Sequence, residues 1–289
     1  MSGLFLLSKP RTCLAVLIGL MAAGPASVRA GLFEDANLEK AVRRQVHGKR
    51  NNDKPLTAED VRHVSTVSAR SMNIRSLKGL EHCTQLASLD IAGNRVEDLK
   101  PLKELKLLQY LDAADNRIGS LAPLKNLPQL QYLDVSGNRI EKIDPLGEAQ
   151  TLNTLDLSDN KVRDIEPLEK LQRLWSLHLS NNPLKSAEPI GKLGWLSTLD
   201  LSGCGLKDLA FLAPLKSLRL LILENNQISD LQPLLRAARK DAESDQRFAP
   251  FLRLYLKGNP LSEKARSQQI TALKQIGVKV ESQGHRSGQ

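Results

Sequence analysis

The chain has 289 residues and a formal net charge of +9, and only 3% of its residues are aromatic. The charge is interspersed rather than gathered into a basic run, which argues against nucleic-acid recognition and implies no more than weak attraction to anionic polymers. With so few aromatic rings, leucine must build the core.

The first 30 residues differ from the rest. Lys9 and Arg11 precede an apolar run from Cys13 to Ala23, which Gly24 and Pro25 break. Val28-Arg29-Ala30 then sets small residues at the −3 and −1 positions of a cut before Gly31. This is the pattern of a secretory signal peptide. The apolar run is shorter than the ~20 residues that a spanning helix needs. The expectation is therefore export, periplasmic or secreted, with cleavage near Ala30 and no membrane insertion afterwards. Removing that segment leaves a mature charge of +6. Cys13 leaves with it. Cys83 and Cys204 are about six repeats apart, ~29 Å at ~4.8 Å per stacked strand, against the ~6 Å that a disulfide needs. Two unpaired thiols are expected.

Residues 31–63 read as an N-terminal helical cap. Phe33, Leu38, Val42 and Val46 fall at helical spacing, Asp35 or Asn37 can cap the start, and Thr57 opens a second short helix. Nine repeats follow over 64–261, starting at Val64, Leu86, Leu108, Leu130, Leu152, Leu174, Leu196, Leu218 and Phe251, every step 22 residues except the last, which is 33. The unit Leu152 to Arg173, LNTLDLSDNKVRDIEPLEKLQR, has apolar residues at positions 1, 4, 6, 11, 14, 17 and 20, Asn160 at position 9 and Pro167 at position 16. This is the leucine-rich-repeat pattern LxxLxLxxNxL.

Position 9 is Asn94, Asn116, Asn138, Asn160, Asn182, Asn226 and Asn259, with Cys204 replacing one and Met72 the first. A buried asparagine needs its amide hydrogen-bonded, so these residues should form a ladder to the turns beside the strands. Positions 3 to 7 should form a short parallel strand with 4 and 6 buried. Proline at position 16 suits the first turn of a short helix or 3₁₀ segment on the opposite side. The fold class is thus α/β, a leucine-rich-repeat solenoid with a curved parallel sheet on the concave face, short helices or 3₁₀ segments on the convex face, and helical caps. An 11-residue insertion at about 236–250 reads as a longer convex helix. Residues 262–281 read as the C-terminal cap, and 282–289 as a disordered tail.

The units from Leu86 to Ala238 resemble the 22-residue internalin-type class of leucine-rich repeats. Its strongest mark is the DxxPL element, as in Asp164-Ile165-Glu166-Pro167-Leu168. The edge unit NIRSLKGLEHCTQL and the C-terminal NPLSEKARSQQITALKQIGVKVE are also similar to bacterial exported members of that class. The resemblance implies protein binding on the concave face and no chemistry in the repeats. The class includes a cytosolic phosphatase-regulating protein, a role that a signal peptide argues against. No sorting signal or wall-binding module is read, which argues against covalent wall anchoring.

The outward strand positions would meet a partner. Position 5 gives Asp90, Asp112, Asp134, Asp156, His178, Asp200, Ile222 and Tyr255, and position 10 gives a basic row of Arg95, Arg117, Arg139 and Lys161. These rows are expected either to pair with each other and with water, or to form a charged track. Tyr110 and Tyr132 share position 3 in successive repeats and should stack. Tyr255 joins Leu220 and Ile222 in a second apolar group, which is either exposed or covered by the insertion or the C-terminal cap. Trp175 and Trp195 are expected to pack at the rim.

Three functions are weighed. The first is a monomeric, non-catalytic module binding a protein partner through Tyr110, Tyr132, Asp112, Asp134, Asp156, His178, Leu220, Ile222 and Tyr255. The second is a binder of cell-envelope polysaccharide or peptidoglycan. The third is a hydrolase centred on His178, for which no nucleophile motif is recognised. The histidines form no metal-ligand set and no phosphate loop appears, so neither metal nor cofactor is expected.

Overall fold

A computed structural model describes residues 31–244 and 246–285. The proposed signal peptide, its cleavage site and Cys13 lie outside them. Among the described residues no helix is long and apolar enough to cross a membrane.

The described residues begin with two helices, α1 (Ala36–Arg43) and α2 (Ala58–Val61). Of the two caps weighed for α1, the side chain of Asp35 is the one used. It accepts from the backbone N–H groups of Asn37 and Leu38, and its second oxygen accepts from Arg75 in the first repeat. The start of α2 is a reciprocal capping box of Thr57 and Asp60. Hydrogen bonds from Lys49 and then Thr57 hold the Asp60 carboxyl down at about 2.

Ten three-residue strands follow in one parallel sheet, in chain order: β1 (Thr66–Ser68), β2 (Ser88–Asp90), β3 (Tyr110–Asp112), β4 (Tyr132–Asp134), β5 (Thr154–Asp156), β6 (Ser176–His178), β7 (Thr198–Asp200), β8 (Leu220–Ile222), β9 (Arg253–Tyr255) and β10 (Lys279–Glu281). The central residue of each of the first nine strands is apolar and points inward, from Val67 through Leu89, Leu111, Leu133, Leu155, Leu177, Leu199, Leu221 and Leu254, all 0% exposed; Val280 of β10 is partly buried. Because side chains alternate across a strand, the residues on either side face outward. Prolines open the 3₁₀ segments Lys100–Leu102, Ala122–Leu124, Asp144–Glu148, Glu166–Lys170 and Glu188–Lys192 on the other side of the core.

Between strand and convex segment, the asparagine ladder holds the coils together. The amide of Asn160 donates to the carbonyls of Val135, Leu157 and Ser158 and accepts from Ile140 N–H at 2.9 Å. The same pattern recurs at Asn116, Asn138, Asn182 and Asn226. The residue just before each ladder position turns left-handed, with φ between 52° and 78° from Ser71 to Gly258. That explains why glycine, aspartate and asparagine share the place. At Gly137 a Cβ would meet Asp115 Oδ1 at 2.3 Å, so a side chain there would have to push that carboxylate aside. Cys204 stands in the ladder as a donor, its thiol 3.2 Å from the Leu179 carbonyl. Cys83 and Cys204 are both free and buried, and burial pushes each thiol up to about 12.

The insertion differs from the sequence expectation. The helix α3 runs from Gln232 to Ala242, starting at the usual proline, Pro233, and ending well before Pro250. What stops it is Asp241, 5% exposed, whose carboxylate accepts from the backbone N–H groups of Arg247, Phe248 and Ala249. The segment after α3 folds back over the helix end. Its return displaces the ninth repeat's first core position: Phe251 is 52% exposed, and Leu252 is buried in its place. At the C-terminal end the helix α4 (Ile270–Gln275) continues a π-helical turn, Ala265–Gln269. Gln269 accepts from Leu231 N–H at 2.8 Å, tying this end to the start of α3. Of the tail expected to be disordered from Ser282, residues 282–285 are placed, and 286–289 lie outside the described residues. Residues 282–285 lie beside β9, where His285 N–H donates to Glu224 at 2.9 Å and its ring meets Tyr255 edge-on at 5.0 Å.

Candidate binding surface

Tyr110 and Tyr132 occupy paired positions on β3 and β4, and their rings stack at 4.4 Å with 10° between planes. Both are half-buried, so one edge of the pair is held by the sheet and the rest is open. Burial, and then the nearby aspartates, push both phenols up, so both stay neutral across the physiological range.

The aspartate row has a structural duty that its position in the repeat does not reveal. In each case Oδ1 accepts the backbone N–H two residues on: Asp90 from Ala92, Asp112 from Ala114, Asp134 from Ser136, Asp156 from Ser158 and Asp200 from Ser202. Each is an Asx turn that ends its strand. At Asp134 and Asp200 the serine hydroxyl donates to the same oxygen, and the second oxygen takes no part in the turn. At Asp90 and Asp112 that oxygen is taken by Arg70, whose Nε is 3.2 Å from Asp90 and whose Nη2 pairs with Asp112. Arg70 sits at position 7 of the first repeat, where the next six units have alanine or serine. A bulky cation at a small-residue position was the available sequence signal, and it was missed.

Burial raises the Asp112 carboxyl above the usual range, with the like charge of Asp134 adding to this and Ala114 N–H and Arg70 opposing it. Burial also raises Asp134, against hydrogen bonds from Ser136. A carboxyl whose folded pKa lies above its unfolded one costs stability while ionised, and the cost disappears as pH falls through the folded value. Asp134→Asn keeps an acceptor for Ser136 and removes one charge from the row. It is expected to stabilise the fold at pH 7 by about 0.2–1 kcal/mol, the scale of a like-charge cross-strand pair. The gain should fade as both forms become neutral below about pH 4. Thermal melts of the two proteins at both pH values check this.

The basic row does not pair with the acidic one. Arg117 reaches Glu97 at 3.7 Å and Lys161 reaches Glu141 at 3.9 Å, both two positions beyond the row in the repeat. The row lies past the end of the strands, too far round the coil to face position 5.

At the far end of the sheet two expected contact residues are not available. Ile222, between Asp200 and Tyr255 in the sheet, is 1% exposed, and Tyr255, against β10 and the His285 ring, is 7% exposed. Leu220 stays half-exposed beside them. His178 makes its hydrogen bond with Ser176, Nε2 to Oγ 2.9 Å, and not with Asp156 or Asp200. A serine therefore does stand beside the histidine. Among the described residues no carboxylate is hydrogen-bonded to the ring, and the neighbouring N–H groups of Ser176 and Leu179 are spent on Asn153 and Asp200 carbonyls. Neither an orienting acid nor an oxyanion site accompanies the pair. Among the described residues no group of three or more His, Cys, Asp or Glu is placed to hold a metal.

Two leucine-rich-repeat family models match, one described as "Leucine Rich repeats (2 copies)" over residues 106–148 and one as "Leucine-rich repeat" over 129–237. Among solved structures, internalin C2 of Listeria monocytogenes is similar at 29% identity and TM-score 0.66, covering 70% of this chain and 89% of that one. A leucine-rich-repeat protein of Leptospira interrogans is similar at 25% identity and TM-score 0.62. There the match covers 72% of this chain and 51% of the other. No curated protein matches in sequence. The repeat period, the proline-led convex turns and these matches agree: the chain is built of leucine-rich repeats, in a solenoid similar to that of the internalins.

Proposed function

We propose that this protein is an exported, monomeric, non-catalytic module that recognises a protein partner through its concave strand face, centred on Tyr110 and Tyr132. Leucine-rich repeats are protein-interaction modules, and the observation that carries the reading is the stacked tyrosine pair, rings 4.4 Å apart on a sheet whose core is fully buried. Such rings lose little conformational freedom on binding, which is what makes tyrosine an effective anchor. Asp134 and Asp156 flank the pair with one free carboxylate oxygen each, suited to basic or hydrogen-bonding groups around an apolar centre. Export rests on the signal pattern of residues 1–30.

The test is a pull-down from cell-envelope and secreted fractions with residues 31–289 as bait, followed by affinity measurement on the captured protein. Tyr110→Ala/Tyr132→Ala is expected to weaken binding by about 30-fold or more, the ~2 kcal/mol that defines a hot spot. Unchanged affinity would remove this site. Retention of wall glycan alone would replace the protein partner with a polysaccharide.

A further inference from the structure

The 22-residue period gathers cations that the sequence scatters. Arg95, Arg117, Arg139 and Lys161 share position 10, just past the strands, and all four side chains are exposed. Their backbone N–H groups donate to the carbonyls of Ile74, Val96, Ile118 and Ile140 in the preceding coils at 2.8–2.9 Å, which holds the row in register. Along this flank run three open troughs of about 530, 550 and 620 Å³. The first reaches Arg117, the second starts from Gly119 in the same coil, and the second and third share Glu141, Lys142 and Asp144. Arg75 and Lys185, at position 12 of the first and sixth repeats, lie towards the two ends, ~24 Å apart at the strand spacing of ~4.8 Å. Among the described residues, ten cations and six carboxylates line the troughs, an excess of four positive charges. Residues 31–289 carry a net +6, so most of that charge sits on this flank. Three of the six carboxylates make ion pairs there, Asp98 with Lys100, Glu97 with Arg117 and Glu141 with Lys161, at 3.5–3.9 Å. Exposed pairs of this kind are weak and can yield to a stronger anion.

We infer that this flank is a second binding surface, for a linear polyanionic polysaccharide laid along the stack of coils. Charge complementarity selects the anion, since the cations exceed every carboxylate on the flank. Their repetition along the solenoid selects a linear polymer over a single small anion. The rest of the lining selects the class of polymer. None of the described lining residues is aromatic, and Leu77, Leu121 and Ile143, which reach the troughs, are each 1% exposed. A protein segment finds no apolar anchor there, and a single nucleic-acid strand finds no ring to stack on. The exposed rings lie at the other end of the strands, where Trp175 and Trp195, expected to pack at the rim, are 59% and 70% exposed. An acidic sugar chain can bind through charge and hydrogen bonds alone, and the flank supplies both. The inference goes beyond the concave-face reading and does not depend on it.

The test is calorimetric titration of residues 31–289 with heparin fragments of uniform length. The expected result is saturable binding that weakens steeply with added salt. Arg95→Gln/Arg139→Gln takes one cation from each of the first two troughs. Among the described residues neither arginine takes part in an ion pair, so far-ultraviolet circular dichroism should not change. This double variant is expected to weaken binding about tenfold or more. Arg236→Gln/Lys240→Gln, on the exposed side of α3, removes the same charge away from the flank and should weaken binding less than about twofold. Equal weakening by the two double variants would overturn the proposal, leaving only attraction to net charge. So would the absence of saturable binding up to about 1 mM fragment at about 50 mM salt. Polyglutamate or single-stranded DNA binding as tightly as heparin would overturn the glycan and assign the flank to an acidic protein or a nucleic acid.

Discussion

Replacing Asn160 by alanine is expected to cost about 3–5 kcal/mol, more than any exposed substitution in the protein. The amide is 7% exposed and engages three carbonyls and one N–H of two adjacent coils. Alanine leaves Val135, Leu157 and Ile140 with buried polar groups that neither water nor a neighbour can reach, at ~1–3 kcal/mol each. Asn160 lies in the fifth of nine repeats, and in a linear array each unit is held by its neighbours. The break should therefore do more than lower the midpoint of urea unfolding. The two halves should unfold less cooperatively, with a smaller apparent m-value. Asn94→Ala, one coil from the N-terminal cap, makes the same kind of bonds but should leave the long C-terminal part cooperative. If Asn160→Ala shifts stability by less than about 1 kcal/mol, the ladder is not what clamps the coils.

The ladder was readable from the sequence because repetition places each asparagine among the same neighbours every 22 residues. The stacking of Tyr110 on Tyr132 was readable for the same reason: a shared position in successive units becomes a contact once the strands pair in register. Register says nothing where a residue lies outside the alternation. Trp175 and Trp195 stand at the strand entrance, where neither face is yet defined, and whether they pack or protrude depends on what the next coils place beside them. Arg70 reaches Asp112 across 42 residues, which follows from its length and freedom and not from a period. The covering of Tyr255 by β10 and His285 belongs to a segment that has left the repeat altogether. The aspartate row shows the opposite failure. Its regularity suggested a charged track, while the regular cause is an Asx turn repeated at the end of each strand.

The same limit applies to Asp241, and there it carries the second large effect. Inside an insertion no period assigns a role to an aspartate. The structure gives it three backbone N–H donors at 2.9–3.0 Å, from Ala249, Phe248 and Arg247. Asp241→Ala orphans those donors where Phe248 and Ala249 are buried, and is expected to cost about 3 kcal/mol or more. Asp241→Asn keeps one accepting oxygen, and should cost roughly half as much. The damage should be local, because the loop from α3 to β9 can come away while the coils before it stay stacked. Hydrogen exchange should then show protection lost over 232–255 and kept from β2 to β6. Since this loop sets Phe251 against Arg219, beside the exposed Trp195, its release should also change tryptophan emission before the array unfolds. A single transition by fluorescence and by circular dichroism in Asp241→Ala would show that the loop and the solenoid stand or fall together. Two transitions, with fluorescence first, would show that the loop is a separate part of the fold that one carboxylate holds in place.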